Sequence, residues 1–459
     1  MITEQERQIA ASCLDIAREA GASGARITLT KSTEDLIATL DGQIDKVTRC
    51  ADRSLSIALF VDGRFGSFST NKLEAAALKD FIFRAADTVR MLAPDSFRRL
   101  PDPSRLCTSA RSGREMDIYD PSHEAVTPAA RRRAALDAAV FGRIRADEGI
   151  IPSDLAGGQD GVRLISEEGE YSDSDYDVLV LDSQGLECRH SETSFDYGVE
   201  VTVEDENGDK YSDYWWTASP RLADFDASAC GLEAVRRACA QIGSGPAPSG
   251  KYNMVVSREV SSRLVTPLLN ALNAYSIQQG NSFLVGSKDR KLFSEGLSIV
   301  DEPHRKGESG SKLFDSEGVA TAEAPIVSDG TVRRYFVNTY MAGKLGEAPT
   351  VEDAIRPRVC GYPAPGLDAE SLLQRCGSGI LVTDFNGGNC NMTTGDFSYG
   401  IAGQIFENGR IVRPVSEMLV TGNFLELWKH LIAAGDDYRL CTTKLVGTLA
   451  FSDVDFSGW

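Results

Sequence analysis

Few residues in this chain have the type and spacing to carry out chemistry. Its 459 residues include four histidines, His123, His190, His304 and His430. No two stand within one helical turn, so H-E-x-x-H, which places two zinc-binding histidines on one helix face, is missing. Isolated histidines of this kind serve as hydrogen-bonded core or surface residues. No G-x-S-x-G nucleophile elbow occurs. Ser309-Gly310-Ser311 lies near His304 and could pair a nucleophile with a base, but its polar and glycine neighbours favour a plain surface loop. Ten cysteines are scattered along the chain without a C-x-x-C pair. Cys390, in FNGGNCNMTTGD, is the most exposed-looking thiol, but no basic neighbour is adjacent to lower its pKa. Gly387-Gly388 opens no helix bearing Lys-Ser/Thr, so a phosphate cradle is missing. The paired carboxylates Asp301-Glu302 and Asp436-Asp437 read as solvated turns of an acidic chain.

Charge narrows the partners. A net charge of -19, from 48 basic and 67 acidic residues, argues against a nucleic-acid backbone as ligand. Arg131-Arg132-Arg133 is the only tight basic cluster and reads as the solvated face of a helix. No run approaches the ~20 apolar residues of a membrane span. The start, MITEQERQIAASC, is acidic and polar where a signal peptide is basic and then apolar. A cytoplasmic protein with reduced thiols is expected.

The elements follow from periodicity and turn residues. Residues 1–101 read as an α+β segment. Thr3 and Glu6 form a capping box, with Ile9, Cys13, Ile16 and Ala20 on one helical face and Gly21 at the end. Strand-like runs follow at 25–30, 34–40, 43–50, 54–61 and 65–68, with Asp41-Gly42 and Asp62-Gly63 as hairpin turns. A helix spans about 71–92. Residues 115–220 form a second segment of the N-terminal domain: a helix from Thr127-Pro128 to about Asp147, then strands at 161–167, 176–182, 186–193, 197–203 and 209–216. Tyr214, Trp215 and Trp216 read as a packing patch. Residues 228–459 form the third segment, glycine-rich and strand-dominated. It contains helical stretches at 228–242, 259–276, 339–345 and 424–434. The fold class is α+β, a helix-plus-meander N-terminal part followed by a β-barrel-like C-terminal domain.

The stretch from Thr393 to Asn423, TTGDFSYGIAGQIFENGRIVRPVSEMLVTGN, reads as two strands about an Asn408-Gly409 turn. Pro414 confines the return strand to an edge or an end. Its TGDFS…G…ENG…P…E…GN signature resembles the TldD/PmbA family of peptidase subunits, once described as modulators of DNA gyrase. GNSFLVGSKDRKLFSEGLSIVDEP, from Gly280, and GSKLFDSEGVATAEAPIVSDGTVRRYFVNTYMAGKLG, from Gly310, resemble the family in pattern. Order and spacing match over nearly the whole chain.

The resemblance implies where chemistry belongs. In the TldD branch, H-E-x-x-x-H on a helix binds zinc and supplies the general base, and two histidines so spaced are expected on one face. Counted back from Gly280-Asn281-Ser282, that motif falls on V-T-P-L-L-N. Val265 and Asn270 then replace the histidines and Thr266 the glutamate. Leu264, Leu268 and Leu272 repeat at helical spacing, as core packing. Pro267 either opens a helix capped by Thr266 or kinks a longer one. Cys441 falls near the branch's third zinc ligand, but one thiolate without its histidines does not hold zinc. The chain thus resembles the PmbA (TldE) branch, and the resemblance implies a non-zinc subunit that is non-catalytic alone. Its implied partners are a TldD-like zinc subunit in a heterodimer, or a second copy of itself, and an extended unfolded or leader-bearing peptide. Zinc is expected on the partner and no cofactor on this chain. An extended peptide can add to a free strand edge. The alternatives are an independent hydrolase using Cys390 or Cys441, and a regulatory peptide-binding protein.

Overall fold

Turn chemistry sets the N-terminal sheet. Asp41, Gly42, Asp62 and Gly63 all have positive φ, the backbone of a two-residue hairpin. They join β1 (Gly24–Leu40), β2 (Gln43–Val61) and β3 (Arg64–Thr70) into a meander. The computed structural model describes residues 1–145 and 149–458. In it the meander continues through β4 (Arg163–Asp182), β5 (Glu187–Glu204) and β6 (Lys210–Ser219). The six strands form one sheet in the order β3-β2-β1-β4-β5-β6, every pair antiparallel. The two N-terminal segments are therefore halves of a single sheet. Runs expected as separate strands, such as 161–167 and 176–182, are single long strands. The polar residues between them keep the ladder because a neighbouring strand satisfies their backbone on each side.

One face of this sheet is covered. Helix α1 (Glu4–Glu19) begins at the expected capping box, Thr3 with Glu6. Its buried residues are Glu6, Ala10, Cys13 and Ala17; of the expected Ile9, Cys13, Ile16 and Ala20 stripe, Cys13 and Ala20 are buried and Ile9 and Ile16 pack at the edge of the same core. The small side chains let the helix lie close to the sheet. Helix α2 (Ala75–Arg90) packs beside it, and together they cover Ile27, Leu29, Ile57 and Leu59. At the other end, helix α3 (Pro128–Ala138) and the Cys230–Cys239 helix cover Tyr197, Val199 and Val201. α3 starts at Thr127 as expected, and the expected end at Asp147 lies outside the described residues.

Between these two apolar cores lies a buried charged band. Arg131 departs from the solvated face expected of residues 131–133, being only 5 % exposed. Its guanidinium forks onto Asp173, with Nε and Nη2 each 2.7 Å from a carboxylate oxygen. It also lies 3.2 Å from Asp35. His123 Nε2 is 2.7 Å from Asp173, and the Tyr171 hydroxyl donates to the same carboxylate at 3.0 Å. Burial would raise the Asp173 carboxyl, but His123, Arg131 and Tyr171 outweigh it and hold it below the usual range.

The C-terminal half closes into a barrel. Strands Gly379–Phe385, Gly250–Val256, Leu449–Ser457, Arg410–Asn423 and Asp396–Glu407 pair in that order, and the last pairs back to the first. Asn408 and Gly409 have φ of 52° and 73° and turn the hairpin as expected. Pro414 pairs with Gln404 on one side only, because pairing to Leu449–Ser457 is confined to residues 419–421. Two glycines permit strand closure. A Cβ on Gly403 would stand 2.1 Å from the Leu381 carbonyl oxygen, and one on Gly400 2.4 Å from that of Asn386.

Three expected features of this half differ. The helix at 424–434 stops after Leu427, and Leu431–Ala434 is instead a strand on Leu449–Ser457. Sheet pairing overrides the helical period there. The stretch at 259–276 is two helices, Ser262–Ala271 and Ala274–Gln279, the second capped by Asn273. Asp301-Glu302 is no solvated turn. Asp301, 1 % exposed, accepts N–H bonds from Ile355 and Arg356, and Glu302 pairs with Arg358 at 2.7 Å.

Candidate functional site

The second face of the N-terminal sheet is covered around Val178, Val180 and Cys188 by Cys107, Ala110 and Phe314, and is more open beyond them. Strand alternation places even-numbered residues there, from 168 to 176 on β4 and from 192 to 202 on β5, while the odd ones are buried. The even row carries Glu168, Glu170, Glu192, Asp196 and Glu200, with Glu34 beside them on β1. Among the described residues, the row's one salt-bridge partner is His190, 3.2 Å from Glu192. Burial pushes the Asp196 carboxyl up. Ser194 opposes this by donating at 2.6 Å, and the charges of Glu34 and Asp173 add to the rise. This row is therefore acidic, with His190 and Lys312 bearing on Glu192 at one end.

The face is hollowed at both ends. A cavity of about 400 Å³ lies between Ser174, Tyr176 and Glu192 on the sheet and Ser309, Lys312 and Thr443 of the C-terminal half. A second, of about 550 Å³, is lined by Asp45, Glu168, Glu170, Glu200 and Tyr214. The side-chain-free Gly198 helps to open it. The outer edge of β6 is partly occupied. The Ser212 carbonyl accepts from Gln241 Nε2 at 2.9 Å, and that of Trp216 from Arg439. Arg439 lies 4.3 Å and 4.5 Å from the Trp215 and Trp216 ring centroids, so these two serve packing, whereas Tyr214 is exposed and lines the second cavity.

The Ser262–Ala271 helix is a packing element. Val265 is wholly buried with Leu264 and Leu268 in the barrel core. Thr266 caps nothing; its hydroxyl donates to the Ser262 carbonyl at 2.9 Å. Pro267 sits inside the helix. Asn270 is exposed. Five residues turn a helix by about 140° beyond a full circle, so positions 265 and 270 do not share the face expected of them. This donor set does not fit zinc.

Comparison with known proteins places these features in a family. Residues 130–242 match the PmbA/TldA metallopeptidase central domain, and residues 249–458 match the PmbA/TldA metallopeptidase C-terminal domain. A crystal structure from Bacteroides thetaiotaomicron, of a candidate modulator of DNA gyrase, is 36 % identical. It superposes with a TM-score of 0.90, covering 100 % of both chains. The chain belongs to the PmbA/TldD family. The metalloprotease PmbA of Escherichia coli O157:H7 is 27 % identical over 99 % of this chain and 97 % of its own length. TldE of Thermococcus kodakarensis shares the fold, with 16 % identity and a TM-score of 0.80 over 98 % of this chain and 100 % of its own.

Other candidate residues of this PmbA/TldD chain are not assembled into a catalytic group. Cys390 Sγ lies 3.9 Å from Met392 Sδ, and burial together with Asp396 pushes its thiol up. Cys441 lies on a loop fixed by Arg439 and by Arg258, whose Nη1 donates to the Asp437 carbonyl at 2.9 Å. His304 Nε2 is 2.9 Å from the Thr321 hydroxyl, while Ser311 is fully buried and donates to the Arg305 carbonyl at 2.6 Å. The loop at 309–311 is thus a packed joint, unlike the plain surface loop expected. The acidic sheet face was missed from sequence. Its signal is the alternation of acidic and small residues at 168–176 and 192–202.

Proposed function

We propose that this chain is the non-zinc, PmbA/TldE-like subunit of a metallopeptidase complex acting on unfolded or leader-bearing peptides. The carrying observation is the side-chain chemistry of the Ser262–Ala271 helix: Val265 is apolar and buried, Thr266 is bonded to its own helix, and Asn270 is an amide where an imidazole is expected. Its partner is a zinc-bearing homologue, with self-association as a homodimer when that partner is missing. Its contribution is to hold extended peptide against the acidic sheet face while the partner hydrolyses it. No described helix is long and apolar enough to cross a membrane, and a cytoplasmic setting is part of this proposal.

Metal analysis with a peptidase assay tests this reading. The purified chain is expected to hold far less than one zinc and to leave an unfolded peptide intact until a zinc-bearing homologue is added. About one tightly bound zinc per chain, or hydrolysis by the chain alone, would sink it. The sheet face makes its own prediction. The double variant Glu170→Lys, Glu200→Lys is expected to weaken binding of a lysine-rich extended peptide roughly tenfold. Wild-type affinity should fall as salt rises. Fluorescence anisotropy reads both, and unchanged affinity in the variant excludes this face.

A further inference from the structure

Cys107 and Cys188 meet where the segment after α2 crosses the start of β5. Both are free thiols, 3 % and 0 % exposed. The Cys188 thiol donates to the Cys107 carbonyl at 3.0 Å, and both side chains belong to one buried cluster with Ala110, Val178 and Val180. Backbone bonds hold the two segments in register: Arg189 N–H donates to the Ala110 carbonyl at 2.9 Å, and Gly113 bridges to His190. The same segment reaches the C-terminal half. Cys107 N–H donates to the Gly318 carbonyl, and Ala320 N–H to that of Arg105, each at 2.9 Å. This pair therefore sits at the joint between the two halves.

The surroundings of Cys107 favour a thiolate. The Cys188 thiol has the largest influence and outweighs burial. The Ser109 hydroxyl, 3.5 Å away, and the N–H groups of Ser109 and Ala110 add to it. They bring the Cys107 thiol down to about 5, while the same contact and burial push Cys188 up. Two buried thiols placed side by side, one of them the more acidic, are the elements of a dithiol redox couple.

We propose that Cys107 and Cys188 form a reversible disulfide couple that ties the joint segment to β5 on oxidation. A peroxide is the oxidant. The Cys107 thiolate attacks one peroxide oxygen, forming a sulfenic acid, and the other oxygen leaves as hydroxide, which takes a proton from solvent. The Cys188 sulfur then displaces the sulfenic oxygen to form the S–S bond, and its proton leaves with that oxygen as water. A small dithiol reverses the step by thiol–disulfide exchange. The bond closes a span of 81 residues across the joint, so the oxidised chain resists opening there.

The test uses the full chain, treated with graded hydrogen peroxide, alkylated, and mapped without reductant. The expected first disulfide is a Cys107–Cys188 linked peptide, removed by dithiothreitol. Proteolysis between residues 102 and 114 should slow several-fold in the linked form. In Cys188→Ser the linked peptide should vanish, and Cys107 should be trapped by dimedone as a sulfenic acid. Recovery of both cysteines alkylated while other thiols oxidise, or linkage of either to another cysteine, overturns the proposal. The wild-type map decides this even if the variant does not fold.

Discussion

Replacing Asp173 by alanine is expected to lower folding stability by about 3–5 kcal/mol, because it strands a buried cation. Asp173 is fully buried and anchors Arg131, His123 and Tyr171 between two apolar cores. Removing it leaves the Arg131 guanidinium, only 5 % exposed, with Asp35 at 3.2 Å as its remaining carboxylate. The double variant Asp173→Leu, Arg131→Met should cost less, since it removes both buried charges of the pair together. Chemical denaturation followed by circular dichroism measures both, and equal losses would refute the asymmetry. The pH dependence has a definite sign. The folded Asp173 carboxyl is held below its usual value, so its stabilisation is fully present above the unfolded carboxylate pKa of about 4. It is lost as pH falls through the lower folded value. Wild type should lose stability more steeply than Asp173→Ala below about pH 4.

Gly403→Ala is expected to cost about 3 kcal/mol through overpacking. The new Cβ would stand 2.1 Å from the Leu381 carbonyl oxygen, in the ladder that closes the barrel. Its three nearest atoms are all backbone of Leu381 and Val382, which leaves no flexible side chain to displace. Gly198→Ala is the matched control. Its nearest neighbour is Trp216 Cβ at 3.8 Å and its φ is not positive, so a change below about 1 kcal/mol is expected. Denaturation midpoints separate the two, and comparable losses would show that the barrel yields at Gly403.

Much of this architecture was legible because its signals are local. The Thr3–Glu6 box, the Asp-Gly and Asn-Gly turns and the Thr127-Pro128 start depend on a few adjacent residues, and each is where it was expected. What failed depended on distant partners. The strand at 431–434 has a helical pattern, but residues 449–451 supply its hydrogen bonds. Arg131 resembles its solvated neighbours until Asp173, 42 positions away, claims it. Asp301 and Glu302 look like a turn until residues 355–358 fold against them.

The candidate site divides in the same way. From sequence alone came the expectation that Val265, Thr266 and Asn270 stand where the resemblance puts two histidines and a glutamate, and residue type alone says that such side chains are no substitute for them. Sequence also determined the family, whose TGDFS…ENG…GN signature survives as turn and close-approach requirements on single residues. Only the tertiary structure decided which carboxylates share a surface. Glu34, Glu170, Asp196 and Glu200 come from three strands, and their common field exists because antiparallel register puts alternate residues of each strand on one face. Local residues choose a turn or a missing ligand; a charged face is a sum over strands that only folding aligns.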